Sequence, residues 1–171
     1  RRTREFKWYL AGQGRNSISH SNVKALYYDP AKEIIWIGTH LGGLNKLDIR
    51  TGTFTHYLME EGNPETLPSN IVRDIAPYQD QLIVATQNGV CLFNPQTGKC
   101  QQLFKDSKEG RKIAMVADVE VDNSGTLWIA ATGEGIFSYR FDTNKLTNYR
   151  HDGTQAHSLS NNNVNNIMQD S

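Results

Sequence analysis

Five histidines, His20, His40, His56, His151 and His157, are the first residues to weigh for chemistry, because imidazole serves as acid, base and metal ligand near neutral pH. None stands at the spacing of a metal pair, and no cysteine or carboxylate cluster completes a ligand set, so no metal site and no cofactor are expected. Nucleophile elbow, phosphate-cradling loop, HExxH and paired-acid motif are all missing, so no catalytic residue is named. Glu60-Glu61 is a carboxylate pair, but adjacent like charges more often mark a solvated surface. Trp36 and Trp128 could serve as ligand platforms; each lies between aliphatic neighbours, where packing is the usual role of a large ring.

The elements that position these residues repeat along the chain. Ile35 to Leu44 reads IWIGTHLGGL: an apolar run through Trp36, a polar turn, two glycines and a second apolar run. Trp128 to Ile136 overlays on Trp36 to Leu44, and a shorter copy runs from Ile83 to Val90. The copies end at 44, 90 and 136, an interval of 46 each time. Downstream columns agree: Leu47, Phe93 and Tyr139; Thr51, Thr97 and Thr143; Gly52, Gly98 and Asn144; Tyr57, Leu103 and Tyr149. A period in the forties built from short strands and glycine-bearing turns is the pattern of a β-propeller, one four-stranded blade per repeat.

The fold expected is therefore all-β: a propeller fragment of three complete antiparallel blades over residues 23–58, 72–104 and 115–150, with partial blades at both ends. Residues 5–10 should be the outer strand of a preceding blade, since Phe6 and Tyr9 repeat the spacing of Phe54 and Tyr57. Residues 164–169 should be the inner strand of a following blade. Trp36 and Trp128 should be largely buried, and Gly43, Gly89 and Gly135 should open the third strands. The polar stretches 59–70, 105–112 and 151–163 recur where an outer strand must cross to the next inner strand.

Eighteen basic and eighteen acidic side chains cancel and are spread along the chain, so the footprint of a nucleic-acid binder is missing. Apolar runs fall far short of the roughly 20 residues that span a bilayer, so no direct membrane contact is expected of this segment. Cys91 and Cys100 lie on adjacent strands of one hairpin. The expected register puts Leu103 opposite Cys91, about three residues past Cys100. At ~3.3 Å per residue that is about 10 Å, beyond the roughly 7 Å reach of bridged Cα atoms, so both thiols are expected free.

WIGTHLGGLNKLDIRTGTFTHY at 36–57, ETLPSNIVRDI at 65–75 and SLSNNNVNNIMQDS at 158–171 resemble the two-component-regulator propeller repeat. The resemblance implies the extracytoplasmic, periplasmic sensor region of a hybrid two-component histidine kinase, non-catalytic in itself and responsive to a saccharide. Blade two departs from the pattern, with Ile83 where its neighbours carry Trp.

A binding role also follows from where the repeats differ. Their strands hold constant while the loops between second and third strands change: Thr39-His40-Leu41-Gly42, Thr86-Gln87-Asn88 and Ala131-Thr132-Gly133-Glu134. Loops on a rigid scaffold are where recognition is usually placed. His40, Gln87, Asn88, Thr132 and Glu134 are the candidate ligand-binding residues, the alternative being that they are simply turns. The expected partners are a saccharide, the remaining blades of a parent protein and a second copy of this chain. Two rival functions stay open, a soluble propeller enzyme of the lyase or glycosidase kind and a protein-interaction propeller.

Overall fold

The computed structural model describes residues 6–12, 14 and 16–170. Twelve strands lie among them, with a single 3-10 turn at Gly110–Lys112. The first sheet holds β1 (Val23–Asp29), β2 (Ile34–Thr39), β3 (Leu44–Asp48) and β4 (Thr53–Tyr57). The second holds β5 (Val72–Tyr78), β6 (Gln81–Thr86), β7 (Gly89–Phe93) and β8 (Cys100–Gln102), and the third β9 (Val116–Val121), β10 (Thr126–Ala131), β11 (Gly135–Arg140) and β12 (Lys145–Tyr149). Each sheet is an antiparallel meander in chain order. The first strands of successive sheets adjoin, β1 against β5 and β5 against β9. These are three propeller blades.

Turn chemistry explains the hairpins. Asp29 Oδ1 accepts the amides of Ala31 and Lys32, closing the β1–β2 turn. Asp48 Oδ1 accepts the Thr51 amide and Asp48 O that of Gly52, whose φ of +70° suits glycine. Asn94 does the same work between β7 and β8, with Gly98 at φ +73°. In the third blade Asn144 takes the left-handed position at φ +53°, which asparagine tolerates better than most residues.

Alternation along each second strand sends side chains into two different interfaces. Ile34 and Trp36 face the second blade, where they join Leu67, Val72, Ile75, Val84, Cys91, Phe93 and Cys100 in one core. Ile83 and Ala85 face the third blade, against Val119, Leu127, Ile129 and Phe137. Trp36 is only 2% exposed, held between Tyr57 of its own blade and Phe93 of the next. Ile83 fills the equivalent position at the second interface and is fully buried.

Several expectations need correction. Trp128 is half-buried rather than largely buried: it lies on Tyr149 as Trp36 lies on Tyr57, but among the described residues no ring covers its other side. Residues 6–10 and 164–169 are not strands, and Glu5 lies outside the described residues. A ladder needs a hydrogen-bonding neighbour, which an outer strand finds only in its blade's third strand and an inner strand only in its second. Tyr9 meets the Phe54 ring edge-on at 5.7 Å, and the Ile167 amide donates to Asp118 Oδ2 as the Val119 amide donates to Asp74 Oδ2. The third strand of the first blade opens at Leu44, one residue after Gly43, and the second blade's last strand ends at Gln102, short of the expected blade end at 104.

The cysteine register also differs. Gln102, not Leu103, stands opposite Cys91, and Cys100 stands opposite Phe93. The offset is two residues, the side chains share one face, and the sulfurs lie 3.1 Å apart as free thiols.

Candidate functional site

The loops joining second to third strands are built alike. At the head of each, the amide of His40, Gln87 or Thr132 donates to a carbonyl just before its own blade's first strand, that of Asn22, Ile71 or Met115, at 2.8–3.0 Å. At the tail, the amide of Gly43, Gly89 or Gly135 donates to the crossing segment ahead of the next blade, at Asn70, Ala114 or Asn162. Gly43 and Gly135 have positive φ, and a Cβ there would run into the carbonyl of Tyr57 or Tyr149. Glycine is required twice over, by conformation and by space. The loop tips are thus pinned on one face while their side chains remain free to differ.

The five candidate residues share that face at equivalent blade positions, but they do not form one pocket. Gln87, Asn88 and Thr132 are exposed. His40 is half-buried, its ring edge-on to His20 at 6.2 Å and its Nδ1 without a hydrogen-bond partner. Glu134 already pairs with Arg150. Asn88 alone of the five borders two adjoining surface clefts. One, of about 360 Å³, runs past Pro68, Gln102, Lys105 and Arg111; the other, of about 440 Å³, runs past Glu60, Glu61 and Asn63.

Two features escape the sequence reading. On the opposite face, a cleft of about 480 Å³ lies between the turns of the second and third blades, beside Tyr78 and Phe141 stacked at 4.2 Å. Asp122 lines it. Burial opposes ionisation of this carboxyl, but hydrogen bonds from Ser124 Oγ, Trp128 Nε1 and the Thr126 amide outweigh that and bring its pKa down to about 2. The second feature is the carboxyl pair Asp74 and Asp118 on neighbouring first strands. Desolvation, opposed in part by the Ile167 amide and reinforced by Asp74 and Glu120, raises Asp118 to about 7. Neither carboxylate has a sequence signature, because their meeting depends on blade-to-blade register.

Comparisons with known proteins agree with this architecture. The extracellular domain of a hybrid two-component system from B. thetaiotaomicron is similar in fold, with a TM-score of 0.72 and 24% identity over 79% of this chain and 19% of that one. An auxiliary nutrient binding protein from Bacteroides thetaiotaomicron gives a TM-score of 0.58 at 13% identity, covering 75% of this chain and 30% of that chain. Regucalcin from Agrobacterium tumefaciens, a calcium-binding protein, gives 0.52 at 21% identity, covering 75% and 42%. The chain thus spans less than half the length of each. A comparison with curated proteins found no match. Among the described residues no three His, Cys, Asp or Glu side chains gather as they would to hold a metal ion. No helix among the described residues is long and apolar enough to cross a membrane. The model for the SMP-30/Gluconolactonase/LRE-like region matches residues 25–168, and the chain belongs to that propeller family.

Proposed function

We propose that this chain is a non-catalytic, periplasmic ligand-sensing segment of a hybrid two-component sensor histidine kinase, and that it meets a saccharide on the face carrying the second-to-third-strand loops. The observation that carries the reading is the loop construction: identical backbone anchoring at both ends with different side chains at each tip. An uncharged, hydroxyl-rich ligand is oriented by donors and acceptors of this kind. His40, Gln87, Asn88 and Thr132 offer them; Glu134 contributes only by exchanging its Arg150 contact. The fold likeness to the extracellular domain of a hybrid two-component system supports the same placement. The family's name includes a lactonase, so turnover belongs in the test.

The experiment is calorimetric titration of the intact sensor with a panel of oligosaccharides, with product analysis after each run. The expected result is binding without chemical change, lost when His40, Gln87, Asn88 and Thr132 are all replaced by Ala. Unchanged affinity in a folded variant moves the site off this face, and conversion of the sugar replaces the sensor reading with the enzyme reading.

The remaining blades of the parent are the partners of the two terminal faces. A groove of about 590 Å³ beside Trp128, Tyr149 and Leu159 repeats the surface that Phe93 covers at the first interface.

A further inference from the structure

Cys91 and Cys100 are the only cysteines in the chain, and they face each other inside the first blade interface. Their sulfurs stand 3.1 Å apart, both side chains are buried, and no other thiol competes. We propose that they are a disulfide-forming pair that fastens β8, the outer strand of the second blade, to β7.

The geometry permits this with a shift of β8 toward β7. A disulfide bond of ~2.05 Å requires the sulfurs to close by about 1 Å. Diagonal neighbours on an antiparallel ladder have Cα atoms about 7–8 Å apart, just beyond the roughly 7 Å a disulfide reaches, so closing the bond draws the two strands together by about 1 Å. β8 can supply the remaining approach, because it has three residues and no strand on its far side. The bridge would clamp the shortest strand of the three blades.

Burial decides when the bond forms. Desolvation, then the neighbouring Cys100 sulfur, push the Cys91 thiol well above its ordinary range, so the folded chain holds little thiolate. Exchange therefore belongs to the folding chain. One thiolate attacks the S–S bond of a small disulfide such as oxidised glutathione, releasing one thiol and leaving a mixed disulfide. The second thiolate then attacks the protein sulfur of that mixed disulfide and releases the second thiol. Two protein S–H bonds are lost, one protein S–S bond is gained, and the oxidant is reduced to two thiols. Once β8 is seated, the bond is shielded from reductants.

The inference rests on the periplasmic reading only for the natural supply of oxidant, and the test separates the two. The chain is taken through unfolding and refolding in a buffer of oxidised and reduced glutathione, denatured, alkylated and weighed. The expected product lacks two hydrogens, takes up no alkylating agent, and melts about 5–10 °C above the same protein kept reduced. Cys100→Ala leaves Cys91 free or capped by glutathione. Two alkylated thiols, or two glutathione caps, in the unsubstituted chain overturn the pairing. If the bridge forms in the buffer but the protein from its own cells carries free thiols, the pairing stands and the periplasmic reading falls.

Discussion

Trp36 meets Phe93 edge-on across the first blade interface, with ring centroids 5.4 Å apart and planes at 72°. Tyr57 completes the cluster, 5.9 Å from Trp36 and 4.8 Å from Phe93. Replacing Trp36 by Ala removes a buried ring that joins two blades, and the expected loss is about 3–5 kcal/mol. Trp128→Ala should cost clearly less, since that ring is only partly buried and no second ring covers it among the described residues. Urea unfolding of the two variants checks the order; equal losses would contradict the interface described.

The groove beside Trp128 and Tyr149, together with exposed Leu26 and Tyr28 on the first blade, leaves apolar surface open at both ends of the blade row. Such surface favours association. The isolated chain is expected to self-associate with rising concentration. Sedimentation equilibrium showing one monomeric species up to high concentration would count against it.

Asp118 sets a pH dependence. Its folded pKa, about 7, lies above the unfolded value near 3.8, so between these values the folded state binds the extra proton. Stability should therefore fall as pH rises from about 4 to about 7 and change little from this source beyond. The groups facing it are Asp74 on β5 and Glu120 on β9. Asp118→Asn keeps an oxygen for the Ile167 amide and should flatten that slope; an unchanged slope in chemical denaturation at several pH values would assign it elsewhere.

Gly135→Ala should destabilise by at least about 1–3 kcal/mol, because alanine resists a φ of +82° and its methyl would press on the Tyr149 carbonyl. Gly125→Ala is the control: it shares a positive φ, but nothing crowds it. Thermal melts should show the larger loss at Gly135.

The blade count, the strand order and the placement of the variable loops were legible because turn residues and apolar alternation recur at one interval. Blade two was legible despite Ile83, since Gly89 and the Thr97-Gly98 turn kept its register. What the sequence could not show depends on contacts between repeats. Trp128 differs from Trp36 in burial only because of what covers it. Asp74 and Asp118 meet through the stagger of neighbouring first strands, and Cys91 meets Cys100 through a one-residue difference in hairpin register. At the candidate site, the loop positions were legible, but the pairing of Glu134 with Arg150 was not, since no motif marks it.

The crossing segments carry a last consequence. After the first blade, the amides of Met59 and Glu60 donate to Asn70 Oδ1 and Thr66 Oγ1; after the third, those of His151 and Asp152 donate to Asn162 Oδ1 and Ser158 Oγ. These two joints are specified inside their own dozen residues and take the same form, whereas the second crossing, with Ala114 at the position of Asn70 and Asn162, is built instead around Ser107 and a 3-10 turn at Gly110–Lys112. A gene segment carrying the first or third repeat, duplicated in tandem, would thus arrive with its hinge already set, while one carrying the second would bring a different hinge.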